Sequence, residues 1–349
     1  MISNGCQIEF KWKLGVHCST TATMNLLSYF GLDLDEDLIF GVGKGLGFVY
    51  FRYKDYPYPY ISGRGNSLID NTLKNFGFFP RINGGDYSHQ LQKIIDRLHH
   101  SVPVIVVTDM NCLSYISNNL LKLMQYYPFS EHHVLIVGYE EYQGGLYLWL
   151  KDHLWPVLKI DSSIFKTAWA AERIKPFPLY NYFYEVNLYN TGIDNQAFKE
   201  IIRYAILCNI HELIHPYNPV NSFSGLKGMD SFYRDFVQLS ECRDHEVFRN
   251  TISMIYYPLE KIGTGGGNFR RIYGRFLLKI TPILGKSELE NIGKDYLGLA
   301  NRWKEFIKIL EYKLATARSS VEHPDQLLLK EIIDEEKRLA LNLYNAIKF

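Results

Sequence analysis

The hydrophobic pattern of this 349-residue chain changes character near Asn190, and no other feature restricts its fold as tightly. Before that point, β-branched or aromatic runs recur at 102–107, 132–139 and 146–152, with shorter ones near 157–160 and 182–188. Runs of this length bounded by polar residues read as strands. The turn 140–145 joins two of them into an antiparallel hairpin with a longer-than-minimal connection. Amphipathic helices are expected over 66–77, 88–100, 112–126 and 162–172. Such a mixture gives an α+β fold with a mostly antiparallel sheet.

Beyond Asn190 the apolar residues recur at the helical period over 195–214, 229–241, 245–262, 268–284, 287–316 and 325–347. Pro216 stops the first of these helices, Ser287-x-x-Glu290 reads as a capping box, and Pro324 follows a polar linker at 318–323. A chain of this length exceeds what one hydrophobic core usually holds. The expected division is therefore an α+β domain over 1–190 and an all-α domain over 191–349. Within the first domain, the glycine-rich turn 41–47 leads into an aromatic strand. The segment 54–66, rich in Pro and Gly, is expected to be a Tyr-lined loop without regular structure.

Net charge is +1 and no long Lys/Arg run occurs, so no nucleic-acid partner is expected. No stretch approaches eighteen uninterrupted apolar residues, so no membrane span is expected, and the first fifteen residues lack the apolar core of a signal peptide. Cys6, Cys18, Cys112, Cys208 and Cys242 are odd in number and scattered, which argues against a disulfide scaffold and for a reducing, cytoplasmic location.

Cys18 stands where a loop turns into a helix: Ala22, Leu26, Leu27 and Phe30 mark one helical face that Gly31 ends. A helix start carries unpaired N–H groups and a partial positive charge, which lowers a thiol's pKa and favours the nucleophilic thiolate. A buried structural cysteine is the competing reading, and partners elsewhere decide between them. His132 opens one strand of the hairpin and Asp152 ends the other, so the two can face each other across the ladder. Cys18 as nucleophile, His132 as base and Asp152 as its orienting group make a triad.

This order of elements, a helix-start Cys, then H-x-h-h-h-h-G-Y, then h-x-h-x-h-x-D (h, apolar), resembles the papain-like cysteine-protease fold, closest to its C39-like branch. In that pattern the histidine lies six residues before the Gly of the Gly-Tyr pair, here Gly138, which selects His132. His133 then points to the opposite strand face. The stretches 17–51, 132–169 and 263–277 resemble the butirosin biosynthesis protein H family more specifically, and a related resemblance is to the amide synthase of closthioamide assembly. The resemblance implies a carrier-protein-dependent acyltransferase of antibiotic biosynthesis that moves an acyl group from a phosphopantetheine thioester to a small-molecule amine. It implies an acyl or peptidyl carrier protein as partner, with the phosphopantetheine arm on that partner and no cofactor or metal bound to this chain. A cysteine peptidase or hydrolase is the alternative. Papain-like proteases carry Gln six residues before the nucleophile for the oxyanion hole; Trp12 stands there, which points away from proteolysis. The Cys18 backbone N–H is one available oxyanion donor.

Substrate contacts are expected from His17, from Tyr50, Tyr53 and Tyr58 of the aromatic segment, and from Arg270 and Arg271. The two arginines follow the glycines at 263–267, where a loop entering a helix can receive an anion such as the pantetheine phosphate. A sharp interhelical turn with both arginines paired to carboxylates is the other reading. A last candidate is His211-Glu212-Leu213-Ile214-His215, an HExxH sequence that would suit a zinc hydrolase. Pro216 follows it directly, and no third histidine appears downstream.

Overall fold

A computed structural model describes residues 4–52, 58–113, 115–116, 131–153, 155, 157–170, 180–188, 192–215, 224–316 and 320–348. The chain begins with β1 (Asn4–Gln7), α1 (Cys18–Tyr29), α2 (Glu36–Val42), β2 (Leu46–Arg52), β3 (Pro59–Arg64) and α3 (Leu68–Asn75). It continues with β4 (Phe78–Asn83), α4 (Tyr87–His99), β5 (Val104–Asp109), β6 (Glu131–Tyr142), β7 (Gly145–Lys151), β8 (Leu158–Asp161), α5 (Ser162–Trp169) and β9 (Phe183–Leu188). Helices α6 (Asn195–Ile214), α7 (Gly225–Gln238), α8 (His245–Tyr256), α9 (Arg270–Leu284), α10 (Glu288–Ala315) and α11 (His323–Lys348) complete it.

The contacts divide the chain into two compact units, Met1–Glu36 with Phe76–Gly192, and Asp37–Asn75 with Ile193–Phe349. The first unit is built on an antiparallel sheet in the order β4-β9-β5-β6-β7-β8, with β1 also paired to β6. Residues 104–109 and 132–139 are buried throughout, as their unbroken apolar runs require of strands covered on both faces. Gly138 is needed where it stands, because a Cβ there would lie 2.4 Å from the Cys6 carbonyl of β1. The β6–β7 turn is tighter than the sequence suggested: Tyr142 pairs with Gly145, and only Gln143 (φ 52°) and Gly144 (φ 78°) lie between. Two successive left-handed residues are the signature of a two-residue type I′ hairpin.

Helix α1 packs against β6 and β5 and is buried on every side from Ser19 to Leu27, not on one face. Its polar residues are satisfied locally. Thr23 donates to the Ser19 carbonyl, and Asn25 exchanges hydrogen bonds with both backbone groups of Lys13. The segment before Cys18 is thereby strapped along the helix that Cys18 begins.

In the second unit, the hairpin β2–β3 lies among helices. Asn209 of α6 exchanges hydrogen bonds with both backbone groups of Leu46, and Phe48 packs against Phe232 and Trp303. This corrects two expectations. Residues 59–64 form a strand, since Pro59 occupies its first position, where no ladder donor is needed, and the following residues alternate in burial. Residues 37–75 also belong with the helical part, because β2 buries its aromatic residues against α7 and α10. Asp37 is held there by Arg275 (Nη2 at 2.8 Å) and Lys279 (Nζ at 2.6 Å). The helical spans match the 3.6 period closely, but Ser287 makes no side-chain cap to α10, so the capping box is not used. Most of the helix expected at 112–126 lies outside the described residues. No described helix is long and apolar enough to cross a membrane.

Candidate active site

Cys18 is the first residue of α1, and His17 is its N-cap, with Nδ1 accepting from the Ser19 N–H at 3.2 Å. The loop ahead of it is fixed by one carboxylate. Glu36 accepts from the backbone N–H groups of Val16 (3.0 Å) and His17 (2.9 Å) and from the Thr20 hydroxyl (2.7 Å). These donors belong to the open end of the helix, and an anion there complements both their hydrogen bonds and the helix dipole.

The Cys18 thiol is partly exposed and ringed by imidazoles. Its Sγ lies 3.7 Å from His17 Nδ1 and 3.9 Å from His133 Nδ1, and it also interacts with His132. Burial alone would push the thiol up; contacts with the imidazoles of His132, His133 and His17, with the charge of His17, outweigh it and hold Cys18 well below the ordinary thiol range. The thiolate is the nucleophilic form.

His132 and Asp152 are both buried, and the imidazole Nε2 is 2.7 Å from Asp152 Oδ2. Burial pulls His132 down, but the Asp152 charge and hydrogen bond, with a smaller contribution from Cys18, raise it to about 10. Asp152 in turn is held far below the carboxylate range: its burial is overcome by His132 and, to a lesser degree, His153. With Nε2 committed to Asp152 and Nδ1 buried without another hydrogen bond among the described residues, Nδ1 is the atom left to serve Cys18. Both shifts favour a thiolate beside an imidazolium.

Three supports of this pair carried no sequence signal that singled them out. The Tyr115 hydroxyl donates to Asp152 Oδ2 at 2.7 Å, and His153 Nδ1 lies 2.8 Å from Asp152 Oδ1. Glu36 orders the nucleophile loop. The alternation argument that turned His133 away is also corrected. Its Nδ1 reaches both Cys18 and the Ser19 hydroxyl (3.0 Å), because α1 lies across the end of β6 and meets neighbouring residues of the strand. Trp12 holds its indole N–H buried with no acceptor among the described residues, and the Lys151 ammonium stands 5.6 Å from its ring.

The other candidates fare differently. Tyr50 is buried and donates to Asp235 in the second unit, and the Tyr58 hydroxyl accepts from Asn250. Tyr53 lies outside the described residues. Arg270 is fully buried, bonded to Glu336 at 2.6 Å and to the carbonyls of Gly63 and Asn268, while Arg271 donates to Asn301. A buried, ion-paired guanidinium offers no anion site, so the glycines 263–267 serve as an interhelical turn in which Gly263, Gly265, Gly266 and Gly267 all take positive φ. In the HExxH sequence, the His211 and His215 rings lie 5.5 Å apart, tilted by 55°, at the exposed end of α6, but Glu212 is engaged by Lys44 at 2.9 Å. Among the described residues, the one cluster with three metal-capable side chains is His132, Asp152 and His153, whose 2.7 and 2.8 Å contacts are hydrogen-bond lengths.

Residues 17–149 match the family described as Butirosin biosynthesis protein H, N-terminal, and residues 170–343 match one described as Domain of unknown function (DUF4872). No curated protein matches the chain. The first match opens at the N-cap of α1 and takes in Cys18, His132 and His133. It carries the general class, a biosynthetic enzyme of transferase type from antibiotic pathways. Residues 17–149 of this chain thus belong to the family described as Butirosin biosynthesis protein H, N-terminal.

Proposed function

We propose that this protein is a carrier-protein-dependent acyltransferase that forms an amide, with a papain-like first unit and a Cys18–His132–Asp152 triad. The observation that carries the reading is the thiol held low beside an imidazole held high by a buried carboxylate. Cys18 thiolate attacks the carbonyl of a phosphopantetheine thioester, and the His132 imidazolium gives its proton to the departing thiol. An amine then attacks the acyl-cysteine, and the amide leaves. A thioester is already activated, so neither ATP nor a bound cofactor is required. An odd, scattered set of five cysteines fits a reducing compartment, which makes the cytoplasm the expected site of action.

Intact-mass measurement after mixing with an acyl-carrier thioester tests this. Wild type should gain one acyl group and Cys18→Ala none; labelling of neither, or equal turnover by both, overturns the proposal. Competition between water and an amine then separates the transferase from a hydrolase: release of free acid in excess of amide would favour hydrolysis.

A further inference from the structure

The acyl-transfer reading leaves one proton unassigned. In the first half-reaction the balance is simple. The thiolate forms the Cys18–acyl bond, the thioester C–S bond breaks, and the His132 proton goes to the leaving thiolate. The enzyme is then an acyl-cysteine with a neutral His132. An alkyl amine reaches it as an ammonium ion carrying three protons, and the amide nitrogen it becomes keeps one. Two protons must therefore leave nitrogen, one before attack and one as the tetrahedral intermediate collapses. His132 takes up one and restores the thiolate–imidazolium pair. The other needs a second acceptor.

We propose that His133 is this second base, so that consecutive histidines divide the two half-reactions. Two imidazoles beside the sulfur make no bond to Asp152, and His17 spends its Nδ1 on capping α1, which leaves His133. Its Nδ1 lies 3.9 Å from Cys18 Sγ and 3.0 Å from the Ser19 hydroxyl, and the residue is 7% exposed. Cys18 and Ser19 face it from α1, and Tyr184 of β9 stands on another side, ring centroids 6.4 Å apart. An amine attacking an acyl carbon on Sγ sits about 3 Å from that carbon, within reach of Nδ1 directly or through the Ser19 hydroxyl. His133 accepts the first proton and passes it to solvent; His132 accepts the second while the C–S bond to Cys18 breaks and the C–N bond persists.

This inference rests on the acyltransferase reading, and the test keeps the two apart. Wild type and His133→Gln are acylated with the N-acetylcysteamine thioesters of a series of short acids. The acyl-enzymes are then given ethanolamine, an ammonium ion at neutral pH, or hydroxylamine, which is neutral there and has only one proton to shed. Decay of the adduct is followed by intact mass and corrected for the reaction of the unfolded acyl-enzyme. His133→Gln loses one of the contacts that hold the Cys18 thiol low, so its acylation slows; once acylated, it should transfer to ethanolamine about 100-fold more slowly than the wild-type acyl-enzyme. Transfer to hydroxylamine should change little, and the ethanolamine rate of the variant should climb tenfold per pH unit as free amine appears. Equal slowing with both nucleophiles, or none with ethanolamine, overturns the role of His133 and leaves the transferase reading standing. No adduct on wild type overturns both. If His133→Gln cannot be acylated, His133→Asn is the second variant, and loss of acylation there too refutes the division of labour.

Discussion

Asp152→Asn is the perturbation that bears most directly on the thiolate–imidazolium pair. The carboxylate takes part in the two strongest effects raising His132, its charge and its hydrogen bond at 2.7 Å, and only burial opposes them. Returning the imidazolium from about 10 to the ordinary 6.5 removes about 5 kcal/mol of its stabilisation, a ceiling because Cys18 supplies part of it. His132 is then neutral at pH 7, and the hydrogen bond it lends the thiolate goes with its charge. If Cys18 relaxes to the ordinary thiol value of 9.0, its thiolate fraction at pH 7 falls to about 1%. A more basic thiolate is also a better nucleophile, by about threefold per unit of pKa, so the pH profile of alkylation, rather than its rate at pH 7, reports the change. Iodoacetamide labelling across pH 5–9, read by intact mass, measures this directly. Wild type should be flat through neutrality, whereas Asp152→Asn should rise tenfold per unit; acylation should fall by about 10³–10⁴. A variant as flat as wild type would refute the claim that Asp152 sets the charge of the pair.

Other expectations follow from the same geometry. Stability should be level between pH 6.5 and 9.0 as far as this pair is concerned, because the folded pair (thiolate, imidazolium) and the unfolded pair (thiol, imidazole) each carry one proton there. Below 6.5 the unfolded histidine gains a proton, and above 9.0 the unfolded thiol loses one, so stability falls on both sides by up to about 1.4 kcal/mol per unit; urea titrations of wild type against the Cys18→Ala, His132→Ala double variant should isolate that plateau. Glu36→Ala strips the acceptor from the Val16 and His17 N–H groups at a cost of about 1–3 kcal/mol, and should speed tryptic cleavage after Lys13. Glu336→Gln strands the buried Arg270 guanidinium and should cost about 3–5 kcal/mol in denaturant titration. Glu212→Gln breaks only an exposed pair with Lys44, so activity should survive it and chelator treatment alike, with stability within about 0.5 kcal/mol; a loss of turnover on either treatment would reopen a zinc-hydrolase role.

What the sequence made legible was whatever repeats locally. The helices from Asn195 onward follow from apolar spacing alone, and the placing of Cys18 at a helix start follows from small hydroxyl residues leading into Ala22, Leu26 and Leu27. Hidden from it were contacts made by residues with no periodic signature. Pro59 concealed β3 because proline ends most strands, yet an edge or first position tolerates it. His133 was set aside on strand alternation, a rule that holds for a flat sheet face but fails at a strand end crossed by a helix N-terminus, where both faces meet one group. Arg270 looked like an anion receptor because a glycine turn and an arginine say nothing of burial; Glu336, 66 residues later, decides it. The pattern in these failures is physical. Periodicity reports how an element meets bulk apolar surroundings, whereas a site is made by single side chains converging from elements far apart in sequence. In this chain Cys18, Glu36, Tyr115, His132, His133, Asp152 and His153 converge that way, and a hydrophobic period cannot carry the charge relations among them.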